Sequence, residues 1–300
     1  FAWVLRKFMN ISGSEGLVAA GNIFMGMTES PVLIKNYLPT MNRSEIFLVM
    51  VSGMGTIAGS VMGTYIGMLG GTDPAAKVLF ATHLLSASVM AVPGSIVLAK
   101  MLCPQTEEAT DHVAISGKEK ENSNILDAIS SGTVTGVKLM TNIAAMLLVF
   151  ISLVALANYI TEGVIGRYTG LNDWIVKITD GKAQGLTFQF ILGVITSPFM
   201  WLIGVPSQDI MLVGSLLGQK TILNEFVAYF QLQQWKDAGL FMYEKSILMS
   251  TYILCGFANI SSIGILLGGL GVLAPEKRGL ISRIGVPAMI GGALVSVLSA

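Results

Sequence analysis

Between Leu139 and Ala157 the chain carries no charged residue. A helix needs about 20 mostly apolar residues to cross a hydrocarbon layer about 30 Å thick. In that layer every backbone N–H and C=O must be satisfied within the protein, so only helices and closed barrels span it. Ile46–Leu69, Ala75–Leu102, Ile247–Leu273 and Ile281–Leu298 are also long enough and apolar enough. Phe188–Val205 is apolar but holds Pro198, so it can span, bend or lie at the interface. Composition agrees: 53% of the residues are hydrophobic and 12% charged, against about 25% charged in soluble domains. The fold class this predicts is an all-α polytopic membrane protein.

Several function classes lose their support. Lys plus Arg and Asp plus Glu each number 18, so no net field argues for a nucleic-acid partner. The two cysteines, Cys103 and Cys255, lie in or beside apolar runs and read as small packing residues, not a disulfide framework. There is no Gly-Lys-Thr phosphate loop, no His-Glu-x-x-His and no Gly-x-Ser-x-Gly elbow, so nothing points to an enzyme, an ATP-driven pump or an organic cofactor. His83, inside an apolar run, reads as a hydrogen-bonded packing residue. The chain opens on Phe1, and a first stretch with Arg6 and Lys7 does not resemble a signal peptide. Its natural N-terminus and any earlier spans are expected to be missing.

Two segments break the pattern of simple spans. Gly16–Leu38 is interrupted by Gly21, Asn22, Gly26, Thr28, Glu29 and Pro31, and Ile210–Leu232 by Gly214, Gly218, Gln219, Lys220, Asn224 and Glu225. Gly and polar residues in mid-segment predict two half-helices meeting at a tip, a re-entrant hairpin. Such backbone is tolerated at membrane depth only where it is buried in protein or lines a wet cavity. Each hairpin is followed by a span with a small, polar centre: Ser52-Gly53-Met54-Gly55-Thr56-Ile57-Ala58-Gly59 in one case, Cys255-Gly256-Phe257-Ala258-Asn259-Ile260-Ser261-Ser262 in the other. The unit therefore occurs twice. Lys and Arg near the span ends, with Lys277, Arg278 and Arg283 as the strongest cluster, define a cytoplasmic side. On that orientation the two units enter from opposite faces, and the repeat is inverted. The polar interval Pro104–Gly136 reads as a solvated loop.

Carboxylates at membrane depth are costly, by about 3 kcal/mol on insertion scales. Glu29 and Glu225 both occupy broken apolar segments, after Thr28 and Asn224. Two symmetric cases favour a polar binding site over a structural carboxylate, one accepting hydrogen bonds from a polyhydroxylated or amino-bearing solute. Asn22 and Thr56 offer oxygens of the kind hard cations take, and an unwound helix frees carbonyls for the same purpose.

Three motifs make the sequence similar to a known family. Gly21-Asn22-Ile23-Phe24-Met25-Gly26-Met27-Thr28-Glu29-Ser30-Pro31 resembles the first hairpin of concentrative nucleoside transporters. Asn224-Glu225-Phe226-Val227-Ala228-Tyr229 resembles the second, and Cys255-Gly256-Phe257-Ala258-Asn259-Ile260-Ser261-Ser262-Ile263-Gly264 the family's broken helix.

The resemblance implies a sodium-coupled symporter that imports nucleosides by alternating access, built as a homotrimer in the lipid of the bacterial inner membrane. It implies an inverted repeat of hairpin plus partly unwound helices with a scaffold helix. Residues 1–133 form the first transport repeat with the polar loop, 134–165 the scaffold helix, and 166–300 the second repeat. The family's opening spans are expected to precede this chain. The resemblance assigns the nucleobase to Met27, Thr28, Glu29 and Val61, and the ribose to Glu225, Asn259 and Ser262 with Phe257 lining the pocket. It assigns sodium to Asn22, Met25, Thr56 and Ile57, with Met25 and Ile57 acting through carbonyls. The family usually has Gln where Met27 stands. A thioether cannot donate and accepts only weakly, so base preference is open. Proton coupling through Glu29 or Glu225, and a passive solute channel, are the alternatives.

Overall fold

The computed structural model describes residues 2–9, 11–107, 125–179, 181 and 183–300. In chain order its helices are α1 (Ala2–Met9), α2 (Gly13–Gly21), α3 (Arg43–Gly55), α4 (Gly59–Gly70), α5 (Pro74–Leu102), α6 (Ile125–Asn158), α7 (Arg167–Thr169) and α8 (Leu171–Ile178). There follow α9 (Phe188–Leu202), α10 (Ile210–Ile222), α11 (Glu225–Asp237), α12 (Glu244–Leu254), α13 (Ile260–Leu273) and α14 (Arg278–Leu298). No strand occurs among the described residues. They form two compact units, Phe1–Val113 with Leu192–Ala300, and Ala114–Ile191.

The first unit contains both hairpins and the broken helix that follows each. Hairpin 1 starts at a capping box, in which Ser12 Oγ accepts from Glu15 N and Glu15 Oε2 accepts from Ser12 N. α2 stops at Gly21, the chain turns through Asn22–Glu29, and it returns as a 3-10 helix, Ser30–Ile34. Ser30 Oγ donates to Val18 O at 2.9 Å and ties the return arm to α2. Hairpin 2 is built from α10 and α11 with Leu223 and Asn224 between them. Asn224 ends one helix and starts the next because its Oδ1 accepts from Val227 N at 2.9 Å, an N-cap.

Each hairpin leads into a broken helix. α3 gives way to α4 at Thr56–Ala58, where Thr56 is extended. α12 gives way to α13 across Cys255–Asn259. The two breaks meet: Phe257 N donates to Thr56 O at 3.2 Å. The approach is close enough to require glycine, since a Cβ on Gly256 would lie 3.0 Å from Met54 O and 3.1 Å from Gly55 O. At Gly292 of α14 a Cβ would lie 2.7 Å from Met54 Cβ. Small residues bring backbones together where no hydrophobic force acts between helices.

Among the described residues, three helical stretches are long and apolar enough to cross a membrane: Arg43–Gly70, Pro74–Leu102 and Pro275–Leu298. The expected span Ile247–Leu273 is divided between α12 and α13 by the break.

In the second unit, α6 continues into a π-helical stretch, Tyr159–Gly166, then α7 and α8. Asn172 fastens this segment, donating to Glu162 O and accepting from Leu186 N, both at 3.0 Å. The polar interval read as a loop is corrected here: it is helical from Ile125 onward, so Ile125–Gly136 belongs to α6. Its stretch 108–124 lies outside the described residues.

Candidate functional site

Glu225 is the first residue of α11, and its carboxylate is buried. Tyr65 of α4 donates to Oε1 at 3.2 Å, and Asn259 Nδ2 donates to Oε2 at 3.1 Å. Asn259 is itself fixed. Its Oδ1 caps α13, accepting from Ser262 N and Ser262 Oγ at 2.9 Å each and from Ser261 Oγ at 2.6 Å. The amide nitrogen therefore has to face Glu225. Glu225, Asn259 and Ser262 form one buried, bonded cluster, and the half-buried Phe257 stands in the break beside it. An ionised carboxylate has about four acceptor lobes. Tyr65 and Asn259 fill one on each oxygen, leaving others for hydroxyl donors of a solute.

Tyr65 joins this cluster although no motif in the sequence marks it, and Lys220 is a second buried polar residue, in the repeat that carries Glu225. Tyr65 is fully buried and stacks on Tyr229 of α11, ring centroids 4.1 Å apart and planes 23° off parallel. Its signal in the sequence was a phenol one turn beyond Val61 in an apolar span, because a buried tyrosine hydroxyl needs a partner. Lys220, near the end of α10, has no exposed surface; its Nζ donates to Ile253 O at 2.8 Å and to Ser296 Oγ at 3.0 Å.

At hairpin 1 the surroundings differ. Asn22 is fully buried, and its Nδ2 donates to Ser52 Oγ at 2.9 Å. Its Oδ1 is buried and has no hydrogen-bond partner. Thr56 Oγ1 donates to Ser52 O at 3.0 Å, so Ser52 joins Asn22 to the break in α3–α4. The Met25 and Ile57 carbonyls accept no hydrogen bond among the described residues. Asn22, Thr56 and Ile57 are buried and Met25 is half-buried, and neutral oxygens without a hydrogen-bond partner are the kind of donor a small hard cation takes. Gly59 N donates to Phe24 O at 3.0 Å and pins the tip to the start of α4.

The remaining expected residues are spread along the same tip. Thr28 is half-buried and donates to Glu29 Oε2 at 3.1 Å. Glu29 is exposed, and its carboxylate lies over Gly26, where a Cβ would meet Oε2. Val61 is half-buried in α4. Met27 packs into the apolar core with its Cβ against Gly53. Among the described residues no hydrogen bond links Thr28 or Glu29 to the Glu225 cluster. His83 accepts or donates at Nδ1 to Tyr252 OH at 2.9 Å, the packing role expected of it.

Two hairpins, two helices broken at one crossing, and polar groups gathered there define a class: membrane carriers with an inverted repeat. The chain belongs to the Na+ dependent nucleoside transporter family, whose C-terminal model matches residues 83–300. A second model, described as nucleoside recognition, matches residues 1–72. The chain is 40% identical over 299 residues to the uncharacterized transporter YutK of Bacillus subtilis, covering 99% of this chain and 68% of that one. It is 39% identical over 313 residues to sodium/nucleoside cotransporter 1 of Rattus norvegicus, covering 100% of this chain and 45% of the rat protein. Among solved structures, CNTnw in an inward-facing substrate-bound state matches with a TM-score of 0.83 at 35% identity, covering 99% of this chain and 65% of CNTnw. The chain thus spans between about half and two thirds of the length of these relatives. The family is one of multi-pass membrane transporters, not of enzymes.

Proposed function

We propose that this chain forms the solute- and ion-binding core of a sodium-coupled symporter that imports nucleosides across the bacterial cytoplasmic membrane. The observation that carries the reading is the Glu225 carboxylate, buried and oriented by Tyr65 and Asn259 with acceptor lobes to spare. Such a group suits vicinal hydroxyls, which ribonucleosides share whatever their base. Glu225, Asn259 and Ser262, with Phe257 against the ring, are assigned to the ribose. Thr28, Glu29 and Val61 are assigned to the base, with Met27 closing that side as an apolar wall.

Sodium is preferred to a proton as the coupling ion because of Asn22. An amide oxygen does not titrate near neutral pH, and a buried orphaned one is costly; a cation satisfies it. Asn22, Thr56 and the carbonyls of Met25 and Ile57 would hold the ion, and its charge would order the hairpin 1 tip before solute binds. Coupling is reciprocal, so solute tightens ion binding by the same factor. The core assembles in a homotrimer, with α6 as the scaffold helix past which it moves.

Uptake into proteoliposomes tests this. Radiolabelled uridine should accumulate against its gradient with external sodium and not with choline at the same pH. Accumulation driven by a pH gradient in choline would replace sodium with a proton. Equilibration without accumulation under either gradient would make the protein a passive channel.

A further inference from the structure

Lys220 has a place in the second repeat that corresponds to that of Asn22 in the first. Asn22 caps the first arm of hairpin 1 and reaches Ser52, in the last turn of α3 before its break. Lys220 lies in the last turn of the first arm of hairpin 2 and reaches Ile253, in the last turn of α12 before its break. Its second partner, Ser296 Oγ, lies 3.2 Å from Cys255 O, the first carbonyl of that break. The end of a helix leaves carbonyls without intrahelical partners, and they carry partial negative charge. At α3 an uncharged amide faces this end and leaves Oδ1 orphaned. At α12 an ammonium faces it. Lys220 has no exposed surface, and among the described residues no carboxylate forms an ion pair with it. The Glu225 carboxylate attracts the ammonium without pairing with it, and the ammonium's hydrogen bonds go to neutral oxygens, as the bonds of a bound metal cation can.

We propose that the Lys220 ammonium is a built-in cation that closes the second repeat, so that hairpin 2 is held to the end of α12 without a bound ion. It is a positioning residue: it touches neither solute nor sodium, and it sets the tip that carries Glu225. The parallel with Asn22 rests on the sodium reading above; the role of the lysine does not.

Maleimide labelling of buried tip residues tests the two separately. Leu223→Cys reports hairpin 2 and Ile23→Cys reports hairpin 1, each in protein carrying Cys103→Ser and Cys255→Ala; both positions are buried. Local opening sets the labelling rate. With Lys220 intact, Leu223→Cys should label at the same rate, within about twofold, in sodium and in choline. Adding Lys220→Ser, which leaves room for an ion, should raise that rate about tenfold in choline and restore it toward the parent value in sodium. Lys220→Met, which fills the space without charge, should label fast in both. Strong sodium dependence with Lys220 intact overturns the proposal, and this arm stands even if the Lys220 variants fail to fold. A folded Lys220→Ser variant that labels at the parent rate, or is indifferent to sodium, also overturns it. Sodium-insensitive Ile23→Cys beside the expected Leu223→Cys results would remove the ion from hairpin 1 and leave the lysine assignment intact.

Discussion

Hairpin 1 and hairpin 2 occupy equivalent places in the two repeats and are secured alike at their bases. Glu15 accepts from Lys100 Nζ at 2.6 Å and from Ser12 N. Asp209 accepts from Met242 N and Tyr243 N at 3.0 and 3.1 Å. Their tips are unlike. Hairpin 1 turns through Asn22–Glu29, leaves the Asn22 oxygen unsatisfied and exposes Glu29. Hairpin 2 turns at Leu223–Asn224, buries Glu225 and satisfies it from both sides, with Lys220 behind it. One tip holds its carboxylate between two donors, while the other keeps a buried amide oxygen with no hydrogen-bond partner; away from the tips, the buried Ser246 Oγ of α12 also lacks one. On the proposed function this contrast is a division of labour: a fixed half that grips the sugar, and a responsive half that reads the ion and the variable base.

The largest expected effect falls on the fixed half. Glu225→Gln should weaken nucleoside binding about 10- to 150-fold, because hydrogen bonds to a charged acceptor contribute about 1.5–3 kcal/mol. The loss should be equal for uridine, adenosine and guanosine in calorimetric titrations. Glu29→Gln should instead change their ranking; a uniform loss matching that of Glu225→Gln would dissolve the contrast. Next comes Asn22→Ala, which should raise the sodium concentration for half-maximal uptake about tenfold, the equivalent of about 1.4 kcal/mol, with little change in binding at saturating sodium. Equal sodium dependence in the variant would remove the ion from this position. Tyr65→Phe deletes one neutral donor but keeps the stack on Tyr229, so a loss of about 1 kcal/mol, near fivefold in Kd, is expected. Met27→Gln should have the smallest effect, about twofold in Kd for any base, because the Met27 side chain is mostly buried in the core and offers the base only an apolar edge. A large gain for one base would show that a donor at position 27 reaches the solute.

Much of this architecture was legible before any coordinates. Gly, Pro and amide residues inside apolar runs exposed both hairpins, and the paired small-residue centres exposed both breaks, because a membrane permits irregular backbone only for a reason. The equivalence assumed between Glu29 and Glu225 was not legible. Sequence records that each carboxylate sits in a broken segment, while burial depends on Tyr65 and Asn259 arriving from distant helices. Lys220 was visible only as an interruption, since its partners Ile253 and Ser296 are remote in the chain. The start of α6 at Ile125 was missed because polar residues such as Asp127 and Thr133 suit an exposed helix as readily as a loop.

The crossing of the two breaks has a consequence for biogenesis. Thr56 O is satisfied by Phe257 N, from the opposite end of the chain. During synthesis the first repeat enters the bilayer long before its partner is made, with a carbonyl that neither lipid nor its own helix can satisfy. The early half must therefore wait, wetted by water or shielded by the insertion machinery, until the late half arrives. Truncation after the first repeat is expected to give a protein that inserts but does not mature.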